Sequence, residues 1–131
     1  LGKKNLFIQG DDAVVMVDLN GNILSIQDYK MGLPQTQSFG YDNLNRLLSA
    51  SAIDGLNGIG DYSQSYTYNA TTGNLETKAG AVYTYGNSLH PHAVMAVSGG
   101  GTFTYDANGN METKTYPSLT TYTYRCNGMS R

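Results

Sequence analysis

The feature that most constrains this chain is a doublet of aromatic residues, two apart, that returns five times. The segments SFGYDNLNRLLSA from Ser38, SYTYNATTGNLETK from Ser65, VYTYGNSLHPHAV from Val82, TFTYDANGNMETK from Thr102 and TYTYRCNGMSR from Thr121 each open on aromatic-x-Tyr. The doublets are Phe39/Tyr41, Tyr66/Tyr68, Tyr83/Tyr85, Phe103/Tyr105 and Tyr122/Tyr124, and they use ten of the chain's 14 Phe and Tyr residues. Their second tyrosines recur at intervals of 27, 17, 20 and 19 residues. A period near 20 is too short for paired helices and fits one β-hairpin per repeat. A weaker copy, VMVDLNGNILSI, begins at Val15.

Residues two apart on a strand share a face, so each doublet puts two rings on one side of a sheet. Asn108-Gly109 reads as the hairpin turn of the best-formed copy, of type I′, which needs positive φ at both central residues. Asp42, Gly73 and Asp106 fall at the equivalent turns. No helical apolar spacing runs through the repeats. Composition agrees: 11 Tyr and 16 Gly in 131 residues, with only 14% charged residues, favour pleated strands and turns.

The expected fold is all-β, a run of consecutive antiparallel hairpins in one array over residues 1–131. The weak repeat covers 14–37, the clear repeats 38–131, and a Gly-rich loop inserted at 49–64 accounts for the long first interval. About ten strands at roughly 4.8 Å each would make a sheet about 48 Å wide. Ten rings on one face exceed the apolar patch a soluble monomer usually exposes, so the sheet is expected to curve, spiral or pack on more protein. Tyr124 to Arg131 aligns with only the first part of a unit, which suggests an array truncated at both ends. The doublets 66/68, 83/85, 103/105 and 122/124 are expected to stack as a ladder that holds the hairpins in register.

The candidate sites weigh toward structure. Asp106-x-Asn108-x-Asn110 and Asp18-x-Asn20-x-Asn22 imitate the start of a calcium loop. Positions six and twelve are Met111 and Pro117 in one and Ile23 and Tyr29 in the other, where such a loop needs Gly and Glu. Asp and Asn at a turn bond their own backbone instead. His90 and His92 share a strand parity but are two ligands only, and Cys126 lies in a different repeat. There is no G-x-S-x-G, H-E-x-x-H or phosphate loop, and Gly99-Gly100-Gly101 reads as a flexible connector. Glu76 and Glu112 recur at one place in two repeats, which argues for a surface role. Asn69-Ala70-Thr71 matches a glycosylation sequon but sits in a turn. The reading is of a chain without catalytic, metal or cofactor residues. A net charge of −2 gives no reason to expect nucleic acid or an anionic membrane as partner. A row of exposed Tyr and Asn leaves carbohydrate open as a ligand. One cysteine excludes an internal disulfide and leaves the compartment open.

The pattern of aromatic-x-Tyr-Asp, a Gly turn and a short returning strand resembles the YD repeat of the RHS (rearrangement hotspot) proteins. Tyr41-Asp42 and Tyr105-Asp106 carry the YD, with Tyr68-Asn69 as a variant, and LHPHAVMAV from Leu89 to Val97 is similar to the Pro-His-Ala-Val segment that interrupts such arrays. Gly86 and Arg125 replace the Asp in two copies. The resemblance implies a sheet that spirals into a hollow shell around a C-terminal toxin or effector, as in bacterial Tc-toxin cocoons and polymorphic toxins, or a teneurin-like adhesion shell. By that resemblance the segment is non-catalytic wall of a secreted or cell-surface bacterial protein. Its partners would be the rest of the shell and its cargo. The alternative is a surface adhesion module that binds carbohydrate or a partner protein.

Overall fold

A computed structural model describes residues 6–9, 13–29, 35–53, 58, 60–118 and 121–123. It is all-β, with twelve strands and no helix among the described residues. Close contacts divide the chain into two units, 1–67 and 68–131, each described in turn.

The first unit is a meander of β1 (Leu6–Gln9), β2 (Ala13–Val17), β3 (Ile23–Asp28), β4 (Gln35–Tyr41), β5 (Leu47–Ile53) and β6 (Tyr62–Tyr68). Each strand pairs antiparallel with the next in sequence. The register sets Phe39 across from Ala50, and Ala50 across from Gln64. Ala52 lies between Gln37 and Tyr62. Directly opposed residues share a face, so Phe39, Tyr41 and Tyr66 do line one side. Ala50 and Ala52, 5% and 2% exposed, are its two buried apolar residues.

The proposed 49–64 loop is shorter in the structure. Residues 49–53 belong to β5 and 62–64 to β6. The stretch Leu47–Ile53 (LLSASAI) alternates Ser and Ala and pairs with β4 and β6, so it continues the sheet; 54–57 and 59 of the proposed loop lie outside the described residues.

The second unit is a meander of β7 (Leu75–Lys78), β8 (Ala81–Thr84), β9 (Ala96–Val97), β10 (Gly101–Tyr105), β11 (Met111–Thr115) and β12 (Thr121–Thr123). Neighbours in sequence pair antiparallel throughout. Tyr83 opposes Val97, which opposes Gly101; Phe103 opposes Lys114, which opposes Tyr122. Tyr83, Tyr85, Phe103, Tyr105 and Tyr122 therefore share a face. Thr102, Thr104, Thr113 and Thr115 occupy the other, where the Thr104 and Thr113 hydroxyls meet at 2.7 Å. Burial alternates along β8 and β10 as the doublets require.

Each unit is an open single-layer meander, so the curl expected from ten rings on one face is not displayed within either.

Two connectors differ from expectation. Ala79 (φ 50°) and Gly80 (φ 82°) are the two central residues between Lys78 and its partner Ala81. This is the type I′ turn, and it joins β7 to β8 rather than forming at Asn108-Gly109. Gly99-Gly100-Gly101, read as a flexible connector, completes the tight turn Val97–Gly100, closed by Gly100 N–H donating to the Val97 carbonyl at 2.9 Å, and begins β10. Gly101 is buried, and a Cβ there would run into the Thr115 carbonyl.

Candidate functional site

Three features recur or cluster: the Asp turn, the tyrosine hydroxyl, and the His90–Val94 segment with the cleft beside it.

The turn is built the same way at Asp18, Asp42 and Asp106. One carboxylate oxygen accepts from the N–H two residues on and from the N–H four residues on: Asn20 and Asn22 for Asp18, Leu44 and Arg46 for Asp42, Asn108 and Asn110 for Asp106. The other oxygen accepts from the side chain four residues on, Asn22, Arg46 or Asn110. The residue three on takes positive φ: Gly21 at 87°, Asn45 at 60°, Gly109 at 84°. Its N–H returns to the Asp carbonyl, and each turn carries a register shift beside it, at Met16/Val17, Gly40/Tyr41 and Thr104/Tyr105. One positive-φ residue after a type I turn, with a bulge, replaces the type I′ geometry expected of Asn108-Gly109. Asn108 is a central turn residue; only Gly109 needs the left-handed conformation. Asn69 performs the same role in a longer loop, accepting from the Thr71 and Thr72 N–H groups while Gly73 takes φ 74°.

These bonds favour the charged carboxylate, so all three carboxyls titrate below their ordinary value. The foremost cause is the Asn22 side-chain bond for Asp18, the Arg46 backbone N–H for Asp42 and the Asn110 side-chain bond for Asp106. Adjacent turns are also stitched together, since the Asn45 side-chain oxygen accepts from the amides of Asn20 (3.3 Å) and Asn22 (2.8 Å). The turn carboxylates thus accept three hydrogen bonds each from within their own turns. Among the described residues no group of three or more His, Cys, Asp or Glu is gathered for a metal.

The second tyrosine of the doublet does a different job from the first. Tyr41 donates its hydroxyl to the Ile23 carbonyl at 2.9 Å, Tyr85 to Leu75 at 2.8 Å, and Tyr105 to Val94 at 2.8 Å. In each case the acceptor lies across from the residue just before the tyrosine, on the strand or segment that ends the preceding repeat. The link from repeat to repeat at these positions is hydroxyl to main chain, not ring on ring. The register explains this: β9 separates Tyr83 from Phe103 and sets Val97 and Met95 beside them. Burial raises the phenol pKa of Tyr41 and Tyr85, with a contribution from Asp18 to the former and from Tyr83 and Tyr105 to the latter. A ring contact is present at Tyr116 and Tyr122, edge to face with centroids 6.0 Å apart, and the Lys114 ammonium lies over Tyr116 (4.5 Å) and Phe103 (5.6 Å). Tyr124 lies outside the described residues.

The His90–Val94 segment departs from the hairpin pattern and ties its neighbours together. Asn87 replaces the missing Asp, one residue late, and accepts from the Leu89 and His90 N–H groups. Asn74 donates to the Pro91 carbonyl at 2.9 Å, and its side-chain oxygen lies 2.6 Å from His92 Nδ1. With the Asn74 amide so oriented, His92 is the donor and carries its proton on Nδ1. His90 packs its ring against Gly109 of the next repeat, and its Nε2 is buried without a hydrogen-bond partner among the described residues. His90 and His92 thus serve different neighbours and do not converge.

Beside this segment is a shallow cleft of about 510 Å³, lined by Asn69, Thr72, Asn74, Glu76, Tyr83, Thr84, Tyr85, Gly86, Asn87, Ser88 and Pro91. A second, of about 460 Å³, lies over the stitched turns between Asp18 and Asn45. The first joins residues from three segments, of which the sequence singled out the two tyrosines, Asn69, Glu76, Gly86 and Pro91, each for a separate reason. Asn74 and Asn87 could have been found from their Asn-rich turn settings, but their spacing to the tyrosines follows only from the register.

No protein-family model, curated protein or solved structure matches the chain.

Proposed function

We propose that the chain is a non-catalytic segment of wall in an RHS/YD-type hairpin-repeat shell, and that the finished shell encloses a C-terminal toxin or effector. The observation that supports this reading is the recurrence of one inter-repeat link, tyrosine hydroxyl to the preceding repeat's carbonyl, at Tyr41, Tyr85 and Tyr105. A link that uses only a local side chain and the neighbour's backbone can be repeated any number of times, as a wall requires. The Asp turns at Asp18, Asp42 and Asp106 serve the same end by closing their hairpins with bonds internal to the turn. On this reading the protein acts outside the bacterial cytoplasm, and its partners are further repeats and the cargo.

The test is to express the parent reading frame around this segment and treat it with protease. A shell leaves a C-terminal domain intact until the repeat array is cut, and that domain is toxic when produced alone. A parent frame with no further repeats, or a downstream domain digested as fast with the array as without it, overturns the proposal.

A further inference from the structure

Two of the Asp turns differ at a single residue. Asp18-Leu19-Asn20-Gly21-Asn22 and Asp106-Ala107-Asn108-Gly109-Asn110 carry an exposed Asn-Gly pair at the same two positions. Glycine leaves its own nitrogen open to the preceding asparagine side chain, because no Cβ screens the approach. In both turns the glycine N–H donates to the Asp carbonyl, at 3.2 Å for Gly21 and 3.0 Å for Gly109, so the main chain opposes that approach about equally. In the third Asp turn Asn43 and Asn45 precede Leu44 and Arg46, whose side chains obstruct it.

The asparagine side chains set the two turns apart. The Asn20 amide donates to the Asn45 side-chain oxygen at 3.3 Å, and the same oxygen is anchored by the Asn22 amide at 2.8 Å. The Asn108 side chain has no hydrogen bond among the described residues. The His90 ring lies against Gly109 where a Cβ would stand, and it leaves Asn108 exposed.

We propose that Asn108 is a self-modification site, which deamidates ahead of Asn20 and turns into an isoaspartyl linkage. The Gly109 nitrogen gives its proton to solvent and bonds to the Asn108 Cγ. The Cγ–Nδ2 bond breaks and ammonia leaves. Water then opens the five-membered imide at either carbonyl, giving aspartate or isoaspartate, so one water is consumed for each ammonia released. The isoaspartyl product has an extra backbone atom between residues 108 and 109. Asp106 can then no longer accept from the N–H groups of both residues 108 and 110, and the turn between β10 and β11 loosens. The inference rests on turn geometry and is independent of the shell reading.

The test is incubation of the folded 131-residue chain at neutral to mildly alkaline pH, followed by tryptic mass spectrometry and isoaspartyl methyltransferase labelling. Trypsin places the two sites in separate peptides, 5–30 and 79–114. Asn108 should convert about three- to tenfold faster than Asn20, the factor that one hydrogen bond of ordinary net strength supplies. In denaturing guanidinium the two should convert at one rate. Asn45→Gly keeps a residue suited to φ 60° and releases Asn20, which should then convert as fast as Asn108. Equal rates in the folded chain, a faster Asn20, or a difference that persists in guanidinium overturns the proposal. So does an Asn45→Gly chain in which Asn20 stays slow, or a folded chain intact at Asn108 for as long as the denatured chain takes to convert.

Discussion

The Tyr105 hydroxyl donates to the Val94 carbonyl oxygen at 2.8 Å, joining the fifth and last residue of β10 to the end of the segment that precedes β9. Tyr105→Phe removes this bond and keeps the ring. It should lower unfolding free energy by about 1 kcal/mol, as should Tyr41→Phe and Tyr85→Phe. Tyr122→Phe, whose hydroxyl meets no such carbonyl among the described residues, should change stability by less than about 0.5 kcal/mol. Urea denaturation of the four variants checks the contrast.

Ala79 sits at φ 50° in the type I′ turn between β7 and β8. The left-handed region costs a residue with a Cβ roughly 1–2 kcal/mol, and Asn or Gly much less. Ala79→Gly and Ala79→Asn should each raise stability by about 0.5–1 kcal/mol, read as a higher denaturation midpoint with unchanged slope.

Gly101→Ala drives a methyl group into the Thr115 carbonyl of β11 at a residue with φ 110°. It should cost about 3 kcal/mol. Gly86→Ala meets nothing within 4 Å and should be nearly neutral. Thermal melts of the pair separate close approach from mere loss of glycine.

The three turn aspartates contribute stability that is lost in acid. Their folded carboxyls titrate below the ordinary value of 3.8, so the unfolded chain takes up protons first as pH falls. The stabilisation they give is therefore full above that value and is lost as pH drops through the lower folded values. Melting temperature should be flat from neutral pH to about 5 and fall below about 4. Asp106→Asn should flatten that decline, because the residue no longer titrates.

Much of this architecture can be read from residue order. The doublets place Tyr83, Tyr85, Phe103 and Tyr105 on one face, as the two-residue spacing demands. The turns at Asp42, Gly73 and Asp106 were legible from their Asp, Asn and Gly residues, whereas the tight turns at Ala79-Gly80 and Val97–Gly100 were not. Turn type was not: Asn108-Gly109 carries the strongest type I′ signal, yet Asp106 two residues earlier captures the Asn108 and Asn110 N–H groups and selects a bulged type I turn. The Asp side chain outcompetes the dipeptide preference. The tyrosines were legible as repeat links but not as hydroxyl donors, since the intervening strand that separates Tyr83 from Phe103 emerges only from the pairing. The cleft was legible least, because Glu76, Tyr83 and Asn87 come together through register alone.

Only Ala50 and Ala52 are fully covered apolar residues among the described part of the chain. Units that are each one sheet thick have little interior left to hydrate when they melt. Heat-capacity change on unfolding and denaturant slope both scale with newly exposed surface, so both should be small for a protein of this length. The stability curve of such a chain is broad and shallow in temperature. Its hold on the folded state comes from backbone pairing and turn bonds, which weaken little on cooling, rather than from an interior that does.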